Sequence, residues 1–493
     1  MKTELTWTPP KKNELIVGGY HIERKSWWPG RPSKMERLTG GPVTGTSFID
    51  EKAVPDMVNE YRCVATHIVN PEIISIPSFP AAVYGFNYLR YDEMLEKLKI
   101  LESGNSDVCR LVDAGPASGG ERRIWCVVLG EDLSDNPDKP AVFLLANAHA
   151  AENQCSDVCV GLVEEALRLY ASGDEAFKKI FKHVQIRIIP MYNAYGRSCV
   201  ENGFPGRARK SSPVIEEPPD LDPLRVFDCW SADYSPGLDP NRTYDVAWEF
   251  AEAQRTKDIQ GESPFSLPET KAVAKMALAA RPQITIDYHA PCGIPFYPAS
   301  WPDGSTPVDE ELTAEVAEAF SELTSVEFPA DQPGKSSFAY DIPVGWGSAW
   351  FYKNFYGASI CAEGFWEQMP IDSRLLAIGP KRSLEELIPK NLENLRWMCE
   401  RVLGAGVTVR VSDPSGEPIE ALVEVIGQMD PHCLPQKTDA EHGVYRRILS
   451  PGVYDFRITA EGRKEVLLKN KSVSPRRNKE IRVVMPRRGE VAE

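Results

Sequence analysis

Five short apolar runs do most to constrain how this chain can fold. Residues 123–129, 141–146, 184–189, 284–287 and 358–362 are dense in Val, Ile, Leu and Ala and show little alternation with polar residues. That is the pattern of strands covered on both faces. Helical patterns lie between them. Met94, Leu95, Leu98 and Leu101 recur at helical spacing, and Val160, Leu162, Val163, Ala166 and Leu167 share one side of residues 157–170. Further helices are expected at 268–280, 309–323 and 384–403. Strands alternating with helices predict an α/β domain with a largely parallel or mixed central sheet.

The two flanks follow other patterns. Residues 1–84 are rich in Pro, Gly and Trp with short apolar stretches such as 73–77, which predicts irregular structure with some strands and suggests no function. After Gly404 the apolar residues alternate with period two, at 407–411, 421–426, 445–449, 453–458 and 479–484. The turns Asp413-Pro-Ser-Gly416 and Pro451-Gly452 fall between these runs. This predicts a small all-β sandwich over about 405–488. The chain therefore divides into 1–84, 85–404 and 405–488, and 493 residues suffice for two or three domains.

Composition excludes some partners. Fifty-six Lys and Arg against 71 Asp and Glu leave a net charge of −15, which argues against nucleic acid, whose phosphates need a basic surface. No apolar run reaches the length of a bilayer, and the opening MKTELTWTPPKKNEL has no apolar core of a secretory leader. A cytoplasmic protein with no membrane partner is the expectation. Eleven cysteines without a framework spacing fit reduced thiols. Cys155 and Cys159, four apart in a helical pattern, suit packing better than a bridge.

His149-Ala-Ala-Glu152 follows the run 141–146 and precedes a helix. It sits at the carboxyl end of a strand, where open α/β sheets place their sites. With seven His and 71 acidic residues, chance alone supplies about one such pair, and Glu152 could simply cap the helix. His289 lies just past 284–287, where a hydrogen-bonded core histidine is the competing reading. Taken together, two His and Glu152 form a His₂Glu set suited to one zinc ion per chain with a position left for water. Asp239 and Asp287 are candidate acceptors for the imidazole N–H groups. Glu363 closes the run 358–362, where a carboxylate is costly unless paired or functional. It could act as general base and then acid in amide hydrolysis, or form a salt bridge. Asn241 and Arg242 follow Asp239-Pro240, and an Arg fork matches a carboxylate unless it is only a solvated loop residue. Arg207 and Arg209 lie in Gly206-Arg-Ala-Arg-Lys210, either as an oxyanion-stabilising cation or as a surface patch.

In this order, and with Asn193-Ala-Tyr-Gly196 between them, the segments resemble zinc carboxypeptidases of the funnelin type over about 85–404. The resemblance implies an α/β/α sandwich around a mixed eight-stranded sheet. It implies zinc held by His149, Glu152 and His289, with Glu363 as general base and acid. Asn241 and Arg242 would hold the free C-terminal carboxylate of a peptide. Arg207 would steady the oxyanion, with Arg209 competing, and Tyr340 would cap the substrate. The family's pocket floor falls at Gly347-Ser348-Ala349. With no acid there and Trp346 and Trp350 beside it, neutral or apolar terminal residues are expected. The tail resembles the transthyretin-like domain that follows the catalytic domain in one carboxypeptidase branch. The chain departs from the family where Asn193-Ala-Tyr-Gly196 replaces Asn-Pro-Asp-Gly. It also departs in an expanded, proline-bearing stretch from Lys210 to Gly237 and in a first segment unlike the family's inhibitory pro-segment. Two other functions fit the same residues: an N-acyl amino acid deacylase of the succinylglutamate desuccinylase or aspartoacylase kind, and a non-catalytic binding protein. The C-terminal sandwich and a Glu363 on its own strand favour the peptidase.

Overall fold

The computed structural model describes residues 2–487 except 8, 10–16, 29–30, 55–57, 71, 73–80, 85–87, 151, 202–236, 252–256, 291–293, 325–337 and 364–383. The N-terminal part holds six strands: β1 (Thr3–Thr6), β2 (Val17–Trp28), β3 (Arg31–Arg37), β4 (Ser47–Asp50), β5 (Val58–His67) and β6 (Ala81–Tyr84). β1 pairs with β4, and the other four form an antiparallel sheet in the order β3-β2-β5-β6. A buried ion pair links the two sheets, Arg24 with Asp50 at 2.5 Å, and the Tyr61 hydroxyl donates to the same carboxylate at 2.8 Å. The apolar stretch 73–77 lies outside the described residues.

The central part alternates as expected. Its strands are β7 (Cys109–Pro116), β8 (Arg123–Leu129), β9 (Ala141–Ala146), β10 (Gln185–Ile189), β11 (Ile284–Tyr288), β12 (Ile294–Ser300), β13 (Phe338–Asp341) and β14 (Ala358–Glu363). They form one mixed sheet in the order β13-β12-β14-β11-β9-β10-β8-β7. The helices are α1 (Tyr91–Gly104), α2 (Asn153–Ser172), α3 (Glu175–His183), α4 (Ala194–Glu201), α5 (Lys257–Gln260), α6 (Pro268–Ala280), α7 (Glu310–Thr324), α8 (Gly347–Phe355) and α9 (Leu384–Leu403). Both faces of the sheet are covered. Phe143 of β9 packs against Phe351 of α8, and Tyr288 of β11 packs against Phe320 of α7. Thr285 pairs level with Phe143, so Tyr288, three residues further on, points to the opposite face. Every residue of β9, β10 and β11 is buried, which is why those runs show little alternation.

Several elements differ from the sequence reading. α2 begins at Asn153 rather than at 157. Its first turn is polar yet buried, tied down by Arg197, which bonds Asn153. α8 reads in sequence only as an aromatic, glycine-led segment. After Gly404 come β15 (Gly406–Ser412), β16 (Leu422–Val425), β17 (Val444–Ile448), β18 (Gly452–Thr459), β19 (Val466–Val473) and β20 (Asn478–Val484). They make two three-stranded sheets, β17-β15-β20 and β16-β18-β19. These enclose a core of their own, including Val407, Val409, Val423, Phe456, Ile458 and Ile481. β19 escapes sequence reading because Lys469, Asn470 and Lys471 interrupt its apolar residues.

Candidate metal centre

Strand register brings the site together. β9, β11 and β14 are adjacent and parallel, and Ala146, Tyr288 and Ala362 lie level at their carboxyl ends. The chain therefore delivers His149, His289 and Glu363 to one edge of the sheet, and the His289 N–H donates to Ala362 O at 2.8 Å. The loop after β9 is set by Asn147, a non-glycine residue at φ 65°. Its amide donates to the carbonyls of His149, Ala150 and Glu152 at 3.1–3.3 Å. Asn193 holds the same loop from outside, donating to Ala148 O at 2.9 Å and accepting from Gly196 N at 2.9 Å. A Cβ on Gly196 would fall 2.7 Å from Asn193 Oδ1 and 2.9 Å from the Ala150 methyl. In Asn193-Ala-Tyr-Gly196 the two outer residues thus make these contacts, so the changed inner pair leaves the loop support in place.

Glu152 occupies the N-cap position of α2, but its side chain makes no cap hydrogen bond. Its two oxygens face the imidazoles instead, His149 Nδ1 at 2.7 Å and His289 Nδ1 at 3.0 Å. All three side chains are buried, with donor atoms within 4.8 Å of one another. Each imidazole turns Nε2 to a second carboxylate: His149 to Asp239 at 3.1 Å, His289 to Asp287 at 3.2 Å. Asn241 Nδ2 lies 3.3 Å from the same His289 nitrogen, slightly farther than the aspartate. An ionised carboxylate can only accept, so Asp239 and Asp287 call for protons on Nε2, which would leave the Nδ1 atoms, on the Glu152 side, to bind a metal. This is the support that metal-ligating histidines ordinarily have.

Electrostatics agree with the geometry. Burial opposes charge on Glu152, yet the His149 and His289 imidazoles outweigh it and hold the carboxyl well below the usual carboxylate range. Burial also opposes charge on His289, but Cys361, Asp287 and Glu152 raise its pKa well above the usual value. Glu152, Asp239 and Asp287 gather negative charge around the two rings, which a divalent cation between them would offset. Two nitrogens and one carboxylate match catalytic zinc, whose bonds of about 2.0–2.2 Å fit donors gathered this closely.

A second trio, His289, Cys361 and Glu363, also has its donor atoms within 4.8 Å of one another. Glu363 therefore lies beside the centre. Cys361, two residues earlier on β14, shares its strand face. Sequence reading passed over Cys361, although the period-two rule applied back from Glu363 points to it.

Asp239 also folds the segment that follows it. Its Oδ1 accepts from Asn241 N at 2.9 Å, capping the 3₁₀ turn Pro240–Arg242. Asn241 Oδ1 accepts from Gly347 N at the start of α8 at 3.0 Å, and Arg242 Nη1 donates to Asn241 O at 2.7 Å. Gly345, at φ +70°, lies against Arg242, where a Cβ would fall 1.8 Å from the Arg242 carbonyl oxygen. Ser348 and Ala349 are buried in the first turn of α8, with Trp346 and Trp350 beside them. Tyr340 is on edge strand β13, 44% exposed, its ring against Phe296 and Trp346 at 5.2 and 5.7 Å. Arg207 and Arg209 lie outside the described residues. Cys155 and Cys159 are free thiols, as are Cys63, Cys109, Cys126, Cys361, Cys399 and Cys433. No helix among the described residues is long and apolar enough to cross a membrane.

Comparison with known proteins finds related sequences. The sequence model of the family described as zinc carboxypeptidase matches residues 94–363, a stretch that holds both histidines, Glu152, Asn241 and Arg242 and ends on Glu363. Carboxypeptidase A6 of Mus musculus is 28% identical over 223 residues, 44% of this chain and 47% of that protein. A zinc carboxypeptidase of Saccharothrix mutabilis subsp. capreolus is 24% identical over 123 residues, 25% of this chain and 27% of that one. The chain spans about half the length, or less, of these curated relatives. Among solved structures, carboxypeptidase A from Helicoverpa armigera aligns over 79% of this chain and 98% of its own at 13% identity, with a TM-score of 0.48.

Proposed function

We propose that this chain, which belongs to the zinc carboxypeptidase family, hydrolyses the C-terminal peptide bond of peptides with a free terminal carboxylate. One observation carries the reading. His149 Nδ1, Glu152 and His289 Nδ1 converge on one point, each imidazole is braced by an aspartate, and Glu363 stands alongside. Zinc, when bound by these three residues, supplies a Lewis acid for water and for the scissile carbonyl. Glu363 takes a proton from the attacking water and returns it to the departing amine. Asn241 and Arg242 hold the terminal carboxylate by an amide and a planar guanidinium. Arg207 is our choice for the cation that steadies the oxyanion, with Arg209 as the alternative, and Tyr340 caps the substrate. We read the part from 405 to 488 as a transthyretin-like sandwich and residues 1–84 as a separate extension.

Selectivity follows from the first turns of α8. The segment GSAWFYKNF has no acidic residue, so nothing there pairs with a terminal Lys or Arg. Burying an apolar side chain contributes about 1.5–3 kcal/mol, which favours neutral, apolar termini by about tenfold or more. The test is a panel of peptides ending in Phe, Leu, Lys or Arg, their C-terminally amidated forms, and N-acyl amino acids. Higher kcat/KM for Phe and Leu, with no cleavage of amidated peptides, is expected. Faster release of Lys or Arg would overturn the selectivity. Equal cleavage of amidated peptides would overturn the carboxylate requirement, and cleavage of N-acyl amino acids alone would make the protein a deacylase.

A further inference from the structure

Helix α8 is held at both ends by residues distant in sequence. At its N-terminus the Gly347 N–H donates to Oδ1 of Asn241, one of the two residues read above as the carboxylate clamp. The last carbonyls of an α-helix have no partner within the helix. In α8 those of Lys353 and Asn354 accept from Leu434 N and Gln436 Nε2, both at 2.9 Å, and that of Tyr352, already bonded by Tyr356 N at 2.9 Å, also accepts from Cys433 Sγ at 3.6 Å. The donors on Cys433, Leu434 and Gln436 come from the stretch between β16 and β17, so the C-terminal sheets supply the cap.

Asp430 fixes that stretch to the catalytic side. Its Oδ2 accepts from Trp301 Nε1 at 3.2 Å, the Tyr352 hydroxyl at 3.2 Å and Val308 N at 3.3 Å. Oδ1 accepts from His432 N at 2.9 Å, and the Asp430 N–H donates to the Tyr356 hydroxyl at 2.9 Å. Arg447 lies 3.9 Å over the Tyr356 ring and pairs with Asp309 at 2.7 Å. Asp430 therefore touches the last turn of α8, the residue after it and the loop before α7 at once, while 4% exposed.

We infer that Asp430 is a positioning residue for the carboxylate clamp. The segment 430–436 sets the tilt of α8, and α8 presents Gly347 N to Asn241. A helix of nine residues is about 13 Å long, so a tilt of about 5° at its capped end moves its other end by about 1 Å. A misplacement of that size at a substrate-binding group can cost up to about a hundredfold. The kinetic part of this inference rests on the carboxypeptidase reading; the mechanical part does not.

The experiment compares the full-length protein with Asp430→Ala, measuring amide hydrogen exchange along 347–355, zinc content and peptide kinetics. Faster exchange in α8, unchanged zinc stoichiometry and a KM raised about tenfold with kcat within about twofold are expected, the pattern of lost uniform binding. Asp430→Asn keeps one carbonyl oxygen for Trp301 and Tyr352 and should recover most of the loss. If Asp430→Ala does not fold, Gln436→Ala removes a single cap bond and should shift the same readouts by less. A folded Asp430→Ala with unchanged α8 exchange and unchanged KM would overturn the inference, as would a fall in kcat alone. If the wild-type protein cleaves no free peptide, the functional reading fails, and the exchange measurement still decides whether Asp430 holds α8.

Discussion

Four imidazole nitrogens decide the chemistry of the centre, because each is committed to a different carboxylate oxygen. Both Nδ1 atoms face Glu152, and the two Nε2 atoms face Asp239 and Asp287. Removing either ring leaves two ligands and an unneutralised buried carboxylate. His149→Ala or His289→Ala should therefore lose stoichiometric zinc and nearly all activity, checked by metal analysis of the purified variants. Normal zinc content with normal turnover would move the site elsewhere. Glu363→Gln tests a different property, since the amide keeps the shape and loses the proton acceptor. Zinc should stay bound while kcat falls about 10²–10⁴-fold; turnover near wild type on a peptide would remove Glu363 from the mechanism.

At the scale of elements, a glycine and a helix start carry strain and charge. Gly345 is at φ +70°, and a Cβ there would overlap the Arg242 carbonyl oxygen. Ala at a left-handed position is destabilising by more than about 1 kcal/mol, before the clash is counted. Gly345→Ala should lower thermal stability and raise KM by displacing Asn241 and Arg242; unchanged KM would show that the segment does not position them. In α2, burial pushes the Asp157 carboxyl up to about 6, only partly opposed by Arg197. The folded protein then keeps a proton that the unfolded chain releases near its ordinary value of 3.8. Between those values the unfolded state binds fewer protons, so stability falls as pH rises, by about 3 kcal/mol if the full shift counts. Asp157→Asn keeps an acceptor for Leu89 N, bonded at 3.2 Å, and should flatten that dependence in denaturation curves taken from pH 4 to 6.5. An unchanged slope would assign it to another group.

At the scale of the whole molecule, the C-terminal sheets are joined to the central part by charge as well as by packing. Arg447, wholly buried, pairs with Asp309, and Arg410 and Arg446 both reach Asp138 at 2.9 and 2.5 Å. Partial burial disfavours a charged Asp138, but these two guanidinium groups win and hold its carboxyl below the usual range. Breaking a buried pair by removing one partner costs about 3–5 kcal/mol. A chain ending at Gly404 would lose Arg447 and uncap α8 together. It should unfold or aggregate before its pH–rate profile changes. A soluble, fully active truncation with wild-type melting behaviour would contradict this.

The chain's own letters point to most of the elements and to three candidate ligands, because both are local. Burial on two faces makes β9 and β11 continuous apolar runs, and a ligand just past such a run must lie at a strand's carboxyl end. The order of His149, Glu152, Asn241, Arg242, His289 and Glu363 was legible for that reason, and so was the mixed sheet. What sequence could not show is which strand ends are neighbours. Register placed Ala146, Tyr288 and Ala362 side by side across more than two hundred residues, and that alone turned scattered letters into one centre. The same holds for Glu152. Local rules leave a helix cap as its alternative role, and the approach of His289 from another strand occupies its second oxygen. The support of α8 was invisible for a similar reason. A helix cap supplied from eighty residues downstream leaves no local pattern, since hydrogen bonds made through folding depend on distance in space and not along the chain.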